Sequence, residues 1–166
     1  MRNLFIRETK TSLIWLWLSL VVIALDQWTK WLVVSSFRLH EIKPVLPSFN
    51  LTLAYNTGAA FSFLSDAGGW QRWVFMVVAI IISVTLVIWL YRTPRREWLS
   101  GVSFSLILGG AVGNLWDRLA YGHVIDFLDI YYNQWHWPAF NIADMAISVG
   151  AVLLIIDLFK RQRSTW

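Results

Sequence analysis

The chain has 166 residues, of which 57% are hydrophobic and only 14% charged, with a net charge of +4. Soluble domains carry roughly 25% charged residues, so the composition excludes an ordinary soluble protein and fits a membrane-embedded one. Cysteine is absent, which removes disulfides, thiol nucleophiles and thiolate metal sites.

The length suits one compact unit, residues 1–166, with no second domain. Residues 1–10 are polar and carry Arg2, Arg7 and Lys10. Residues 12–34 form an apolar run long enough to cross a bilayer at about 1.5 Å per residue. A cleaved signal peptide is the rival for this start. No small-x-small site follows the apolar core, however, and Trp15, Trp17, Trp28 and Trp31 are bulky, so a retained helix is expected. Asp26 and Lys30 sit four residues apart within it and share a face. They read as a mutually neutralising, structural ion pair, with an anchor for the active-site surface as the alternative.

Residues 37–69 make the first long connection. Pro44 and Pro47 break helix, and then Phe49, Leu51, Leu53 and Tyr55 alternate with Asn50, Thr52 and Ala54, the period of a strand. Asn56-Thr57-Gly58 signals a turn, the run AAFSF follows, and residues 66–69 end the connection. A second span, residues 70–91, is bounded by Trp70, Trp73, Trp89 and Tyr91 as aromatic belts require. A basic turn at 92–96 leads to a third span, 98–117, in which Gly101, Gly109, Gly110 and Gly113 permit close helix contacts. The second connection, 119–137, is rich in Tyr and Trp. Pro138 opens the last span, 139–159, which is followed by Lys160, Arg161 and Arg163.

Nine of the fourteen cations lie in the two tails and the 92–96 turn. The positive-inside rule therefore predicts cytoplasmic termini, with both long connections facing outward, which in a bacterial inner membrane is the periplasmic side. Cations at segment ends, rather than along one helical stripe, argue for membrane orientation over nucleic-acid binding.

Candidate chemistry is concentrated between Gly109 and Asp144, at the junction of the last two spans. Asp117, Asp126, Asp129 and Asp144 fall there with Asn114, Arg118 and Asn141. Ionisable groups at such a depth are expensive and point to function. A Ser–Lys pair is disfavoured, because no Ser stands in a nucleophile elbow. No HExxH pattern marks a metal site, and His40, His123 and His136 are scattered in loops. Two carboxylates sharing a proton remain: one takes the proton of a water, the other polarises the carbonyl. Asp144 opens the last span in FNIAD, with Asn141 one turn earlier, although a helix-terminal charge would look the same. Its partner could be Asp126, Asp117 or Asp129. Asp117 adjoins Arg118 and is expected to be held ionised by it, and Asp129 reads as a surface loop residue. Asp126, in the apolar VIDF, is where a carboxyl would have a raised pKa.

The pattern GNLWDR, then VIDF, then FNIAD resembles the lipoprotein signal peptidases (signal peptidase II), and the resemblance extends over nearly the whole chain. It implies a bacterial inner-membrane aspartyl endopeptidase that cuts before an S-diacylglyceryl cysteine in prolipoproteins, without a cofactor. It places the second catalytic aspartate at Asp126, and the loop with Asn56 and Gly58 in the substrate-binding region. Asn114, Arg118 and Asn141 would orient the dyad or hold substrate, while Asp26, Lys30 and Asp117 would be supporting groups. The expected fold is all-α, with four transmembrane helices and a small periplasmic β element. The rival class is a small transporter or assembly subunit whose aspartates carry protons.

Overall fold

The structure, a computed structural model, describes residues 11–58 and 69–163. The basic tail with Arg2, Arg7 and Lys10, the AAFSF run and Asp66 lie outside the described residues. A 3-10 turn, Ser12–Trp15, leads into α1 (Leu16–Ser36), then β1 (Ile42–Leu46) and β2 (Phe49–Asn56). Two helices, α2 (Trp70–Arg92) and α3 (Trp98–Ala120), precede β3 (Val124–Tyr132), β4 (Trp135–His136) and α4 (Ile142–Arg163). All four helices are long and apolar enough to cross a membrane.

Helix α3 is the axis of the bundle and packs against α1, α2 and α4. Its small residues are the reason. A Cβ on Gly113 would come within 2.8 Å of Asp26 Oδ2, and one on Gly110 would collide with the Ala143 carbonyl. Bulk at either position would force α1 or α4 outward, so the glycines set how closely the polar groups of three helices meet. Outward-facing α2 residues such as Val77, Ile81 and Val84 are exposed, as hydrocarbon rather than water would favour.

The all-α expectation needs correction, because the two connections join into one four-stranded antiparallel sheet, ordered β1-β2-β3-β4. Strand β3 lies in the stretch read as an aromatic loop. Its first four residues are all buried, so it lacks the alternation by which a half-exposed strand is recognised. Pro44 sits in β1, an edge strand, where a missing N–H costs no ladder bond. Val33, Leu53, Ile125 and Phe127 form a buried cluster that fixes β2 and β3 on the end of α1.

A bulge interrupts the β2–β3 register between Leu51 and Ala54: Leu51 pairs with Leu128, but Ala54 pairs with Asp126. One extra residue on β2 changes which faces match. Asn50 and Asn56, six apart, can therefore reach Asp129 and Asp126, which are only three apart and on opposite faces of β3. The last helix also differs from expectation, beginning at Ile142 rather than near Pro138. Phe140 is still extended and exchanges backbone hydrogen bonds with Leu128.

Candidate active site

Asn141 is the residue before α4 and Asp144 is its third residue. The Asp144 N–H donates to Asn141 Oδ1 at 2.9 Å, and the Asn141 N–H donates to Asp144 Oδ2 at 3.3 Å. This is a capping box built from Asn and Asp, satisfying two otherwise unpaired donors at the helix start. A third, the Ala143 N–H, donates to Asp26 Oδ1 at 2.9 Å. Asp144 is thus held at a helix N-terminus, where the dipole favours negative charge.

Donor-only neighbours fix the amide orientations across the site. Asn141 presents Oδ1 to a backbone N–H, so its Nδ2 donates to Asp126 Oδ1 at 2.7 Å and to Asn114 Oδ1 at 3.2 Å. Asn114 presents Oδ1 to the Lys30 ammonium at 3.2 Å, so its Nδ2 donates to Asp144 Oδ1 at 2.7 Å. Asn56 accepts the Gly58 N–H on Oδ1, leaving Nδ2 to donate to Asp126 Oδ2 at 3.0 Å. Asp126 and Asp144 are therefore joined through the amides of Asn141 and Asn114. Arg118 donates to the Gly58 carbonyl at 3.1 Å and lies over the Phe75 ring, tying the loop after β2 to α3.

Burial pushes the Asp126 carboxyl up to about 7, reinforced by the charge of Asp144. The Asn56 and Asn141 donors and the Lys30 charge oppose that shift without cancelling it. Asp126 is 2% exposed and lies in a strand rather than a spanning helix.

The Asp26–Lys30 pair exists, at 2.7 Å, but it is not closed on itself. Lys30 Nζ also lies 2.7 Å from Asp117 Oδ2. Asp117 is therefore paired directly with Lys30 on another helix, and Arg118, the partner its position in the sequence suggests, acts on it only from a distance. Consecutive helical residues point about 100° apart, so Asp117 turns inward while Arg118 faces Gly58 and Phe75. Asp117 Oδ2 also accepts the Ile125 N–H at 3.1 Å, fixing the residue before Asp126.

The sequence profile described as signal peptidase (SPase) II matches residues 18–160. The chain belongs to the signal peptidase II family. A lipoprotein signal peptidase of Alteromonas mediterranea is 54% identical, the match spanning 91% of this chain and 83% of that one. A lipoprotein signal peptidase of Cupriavidus taiwanensis is 55% identical, over 98% of this chain and 92% of its own. Two solved structures share the fold, both described as bacterial membrane enzymes. One superposes with a TM-score of 0.82 at 30% identity, covering 92% of each chain. The other gives 0.78 at 32% identity, covering 89% of this chain and 93% of that one. With its four apolar helices, this signal peptidase II family member is a bacterial membrane protein of the protease class.

Every site residue named from the sequence is in the described part of the chain, and one hydrogen-bonded network links Asp26, Lys30, Asn56, Gly58, Asn114, Asp117, Arg118, Asp126, Asn141 and Asp144. Gln27 was missed. It donates to Asp117 Oδ1 at 2.8 Å and to Asp26 Oδ2 at 3.2 Å, and a lone amide beside Asp26 in an apolar helix was the available signal. Asp129 is not a surface loop residue but a buried strand residue. It accepts from Asn50 Nδ2 at 2.8 Å and contacts His136 Nδ1 at 2.8 Å, on the face of β3 opposite Asp126. Asp157, near the other end of α4, is bound by Ser100 and Arg161. Among the described residues, no three His, Asp or Glu side chains converge as a metal site requires.

Proposed function

We propose that this chain is an aspartyl endopeptidase, a single membrane domain over residues 1–166, that removes the signal peptide from prolipoproteins bearing an S-diacylglyceryl cysteine. The observation that carries the reading is the pair of aspartates joined through Asn141 and Asn114, in a chain of the signal peptidase II family. Asp126, pushed up to about 7, retains a proton near neutrality and donates it to the scissile carbonyl. Asp144, at the α4 N-terminus, takes the proton of the attacking water. The water oxygen bonds to the carbonyl carbon, which becomes tetrahedral. The C–N bond then breaks as Asp144 passes its proton to the leaving nitrogen and a hydroxyl of the tetrahedral carbon returns one to Asp126, so the pair ends with the single proton it began with. Each aspartate is held by amide donors that need not reorient during the reaction, the arrangement that makes electrostatic stabilisation effective.

The remaining residues supply position. Asn56 and Gly58 bring the β2 loop to Asp126, and Arg118 holds that loop against α3. The cation distribution supports cytoplasmic termini and a site facing the periplasm. A substrate with two acyl chains lies in the same bilayer. Each buried CH₂ contributes about 0.8 kcal/mol, so lipid supplies much of the binding and sets the depth of the cleavage site.

The test is incubation of the purified protein with a lipidated precursor and its unlipidated counterpart. Cleavage of the lipidated form alone, just before the modified cysteine, is the expected result. Equal turnover of both forms would remove the lipid from the recognition argument, and cleavage of neither would remove the activity.

A further inference from the structure

We propose that Lys30 is a positioning residue for cleavage, whose ammonium fixes the two chain segments carrying Asp126 and Asp144 and supplies the field in which that pair holds a single negative charge. The inference rests on the dyad reading above.

An ammonium has three N–H donors. Lys30 Nζ donates to Asp26 Oδ2 at 2.7 Å and to Asn114 Oδ1 at 3.2 Å, and forms an ion pair with Asp117 Oδ2 at 2.7 Å. Each of these partners continues to the dyad. Asp26 Oδ1 accepts the N–H of Ala143, the residue before Asp144. Asp117 Oδ2 accepts the N–H of Ile125, the residue before Asp126. Asn114 donates to the Asp144 carboxylate itself. Neutralising one carboxylate inside a membrane helix needs only the i,i+4 partner. The second carboxylate, the amide and the two backbone anchors exceed that need. An ion cluster exposed by no more than 2% at its side chains is costly to bury, and an apolar packing of α1 on α3 would avoid that cost.

The charges around the pair can be named from each packed element. Lys30 of α1 and Arg118 of α3 are the cations facing it. Asp26 and Asp117 are the anions on Lys30, and His123, after α3, faces Asp117. Lys30 opposes the upward push of burial on Asp126. Removing the ammonium therefore moves both proton equilibria of the pair to higher pH. Removing one of its counterions, Asp117, strengthens its field on the pair and moves them lower.

The experiment measures cleavage of a lipidated precursor against pH for wild type, Lys30→Met, Lys30→Arg and Asp117→Asn, with folding checked by thermal unfolding. Lys30→Met should shift the bell-shaped profile up by about one pH unit and lower kcat by about 10- to 100-fold, with KM unchanged within about threefold, because the Lys30 side chain is only 2% exposed. Lys30→Arg should return the profile to its wild-type position with only part of the rate, since a planar guanidinium cannot reproduce the three-way geometry. Asp117→Asn should shift the profile down. Should Lys30→Met not fold, the direction of the Asp117→Asn shift decides alone. Folded variants whose profiles superimpose on wild type would reduce Lys30 to a scaffold and overturn the inference. Failure of the dyad reading looks different: Asp126→Asn would then retain activity with Lys30 in place.

Discussion

Asn141 and Asp144 cap one another across the first turn of α4, side chain to backbone in both directions, at 2.9 Å and 3.3 Å. The same Asn141 amide then donates to Asp126 at 2.7 Å. One side chain thus starts the helix and joins its first carboxylate to the second.

The two duties of Asn141 can be separated. Asn141→Asp keeps an oxygen for the Asp144 N–H but replaces the donor facing Asp126 with a third carboxylate. It should lose at least about 100-fold in kcat, the scale of a lost preorganised donor, while keeping the cap oxygen. Asn141→Ala loses the cap as well, which costs about 1 kcal/mol or more of stability. Thermal unfolding beside single-turnover cleavage reads both effects. Equal unfolding temperatures for the two variants would show that the cap contributes nothing.

Replacing either aspartate tests the dyad. Asp126→Asn and Asp144→Asn should each abolish nearly all cleavage, since an amide neither takes a water's proton nor supplies one. The double variant should be no worse than either alone, as groups acting as a unit behave. Asp117→Asn should retain measurable activity. The measurement is single-turnover cleavage of a lipidated precursor by folded variants. Substantial activity in Asp126→Asn, with none in a folded Asp117→Asn, would transfer the role to Asp117.

The four helices were legible because apolar runs bounded by Trp and Tyr leave few other readings, and their observed ends fall within a few residues of those expected. Helix α3 runs on to Ala120, which places Asp117 and Arg118 inside it rather than at its end. The sheet was half legible. Strand β2 alternates, whereas β3 begins with four consecutive buried residues and was read as loop. Periodicity reports exposure differences, and β3 has none at that end. Asp126 could be chosen from its apolar neighbours, but Asp129 has similar neighbours and an unrelated partner set. Only the bulge between Leu51 and Ala54 decides which Asn meets which Asp. The Asp117–Lys30 contact was hidden for a different reason: it joins positions 87 residues apart, and neighbouring Arg118 offered a nearer counterion.

Orientation follows from the cations and can be checked without any activity. A cysteine placed at Arg95 or a reporter fused at Trp166 should remain cytoplasmic, while a reporter within 122–134 should be exported. Periplasmic labelling at position 95 would invert the arrangement and turn the dyad away from its substrate.

Acid should stabilise this protein through Asp126, and the sign follows from its pKa. A carboxyl pushed up to about 7 in the folded chain, against 3.8 as its ordinary value, binds more protons folded than unfolded between those limits. Its contribution to stability is full below about pH 4 and is lost as pH rises through about 7. At about 1.4 kcal/mol per pH unit the span is up to about 4 kcal/mol. Wild type should therefore lose thermal stability from pH 4.5 to 7.5 more steeply than Asp126→Asn, which has no proton to release there, and the curves should run parallel above about pH 8. Activity follows a different course: it needs one proton on the pair, so it should fall on both sides of a maximum whose limbs belong to the pair and not to either residue. Unfolding temperatures of the two proteins across pH 4.5–8.5 decide the matter. Parallel curves throughout would mean that Asp126 is ionised in the folded protein at neutral pH and cannot be the proton donor.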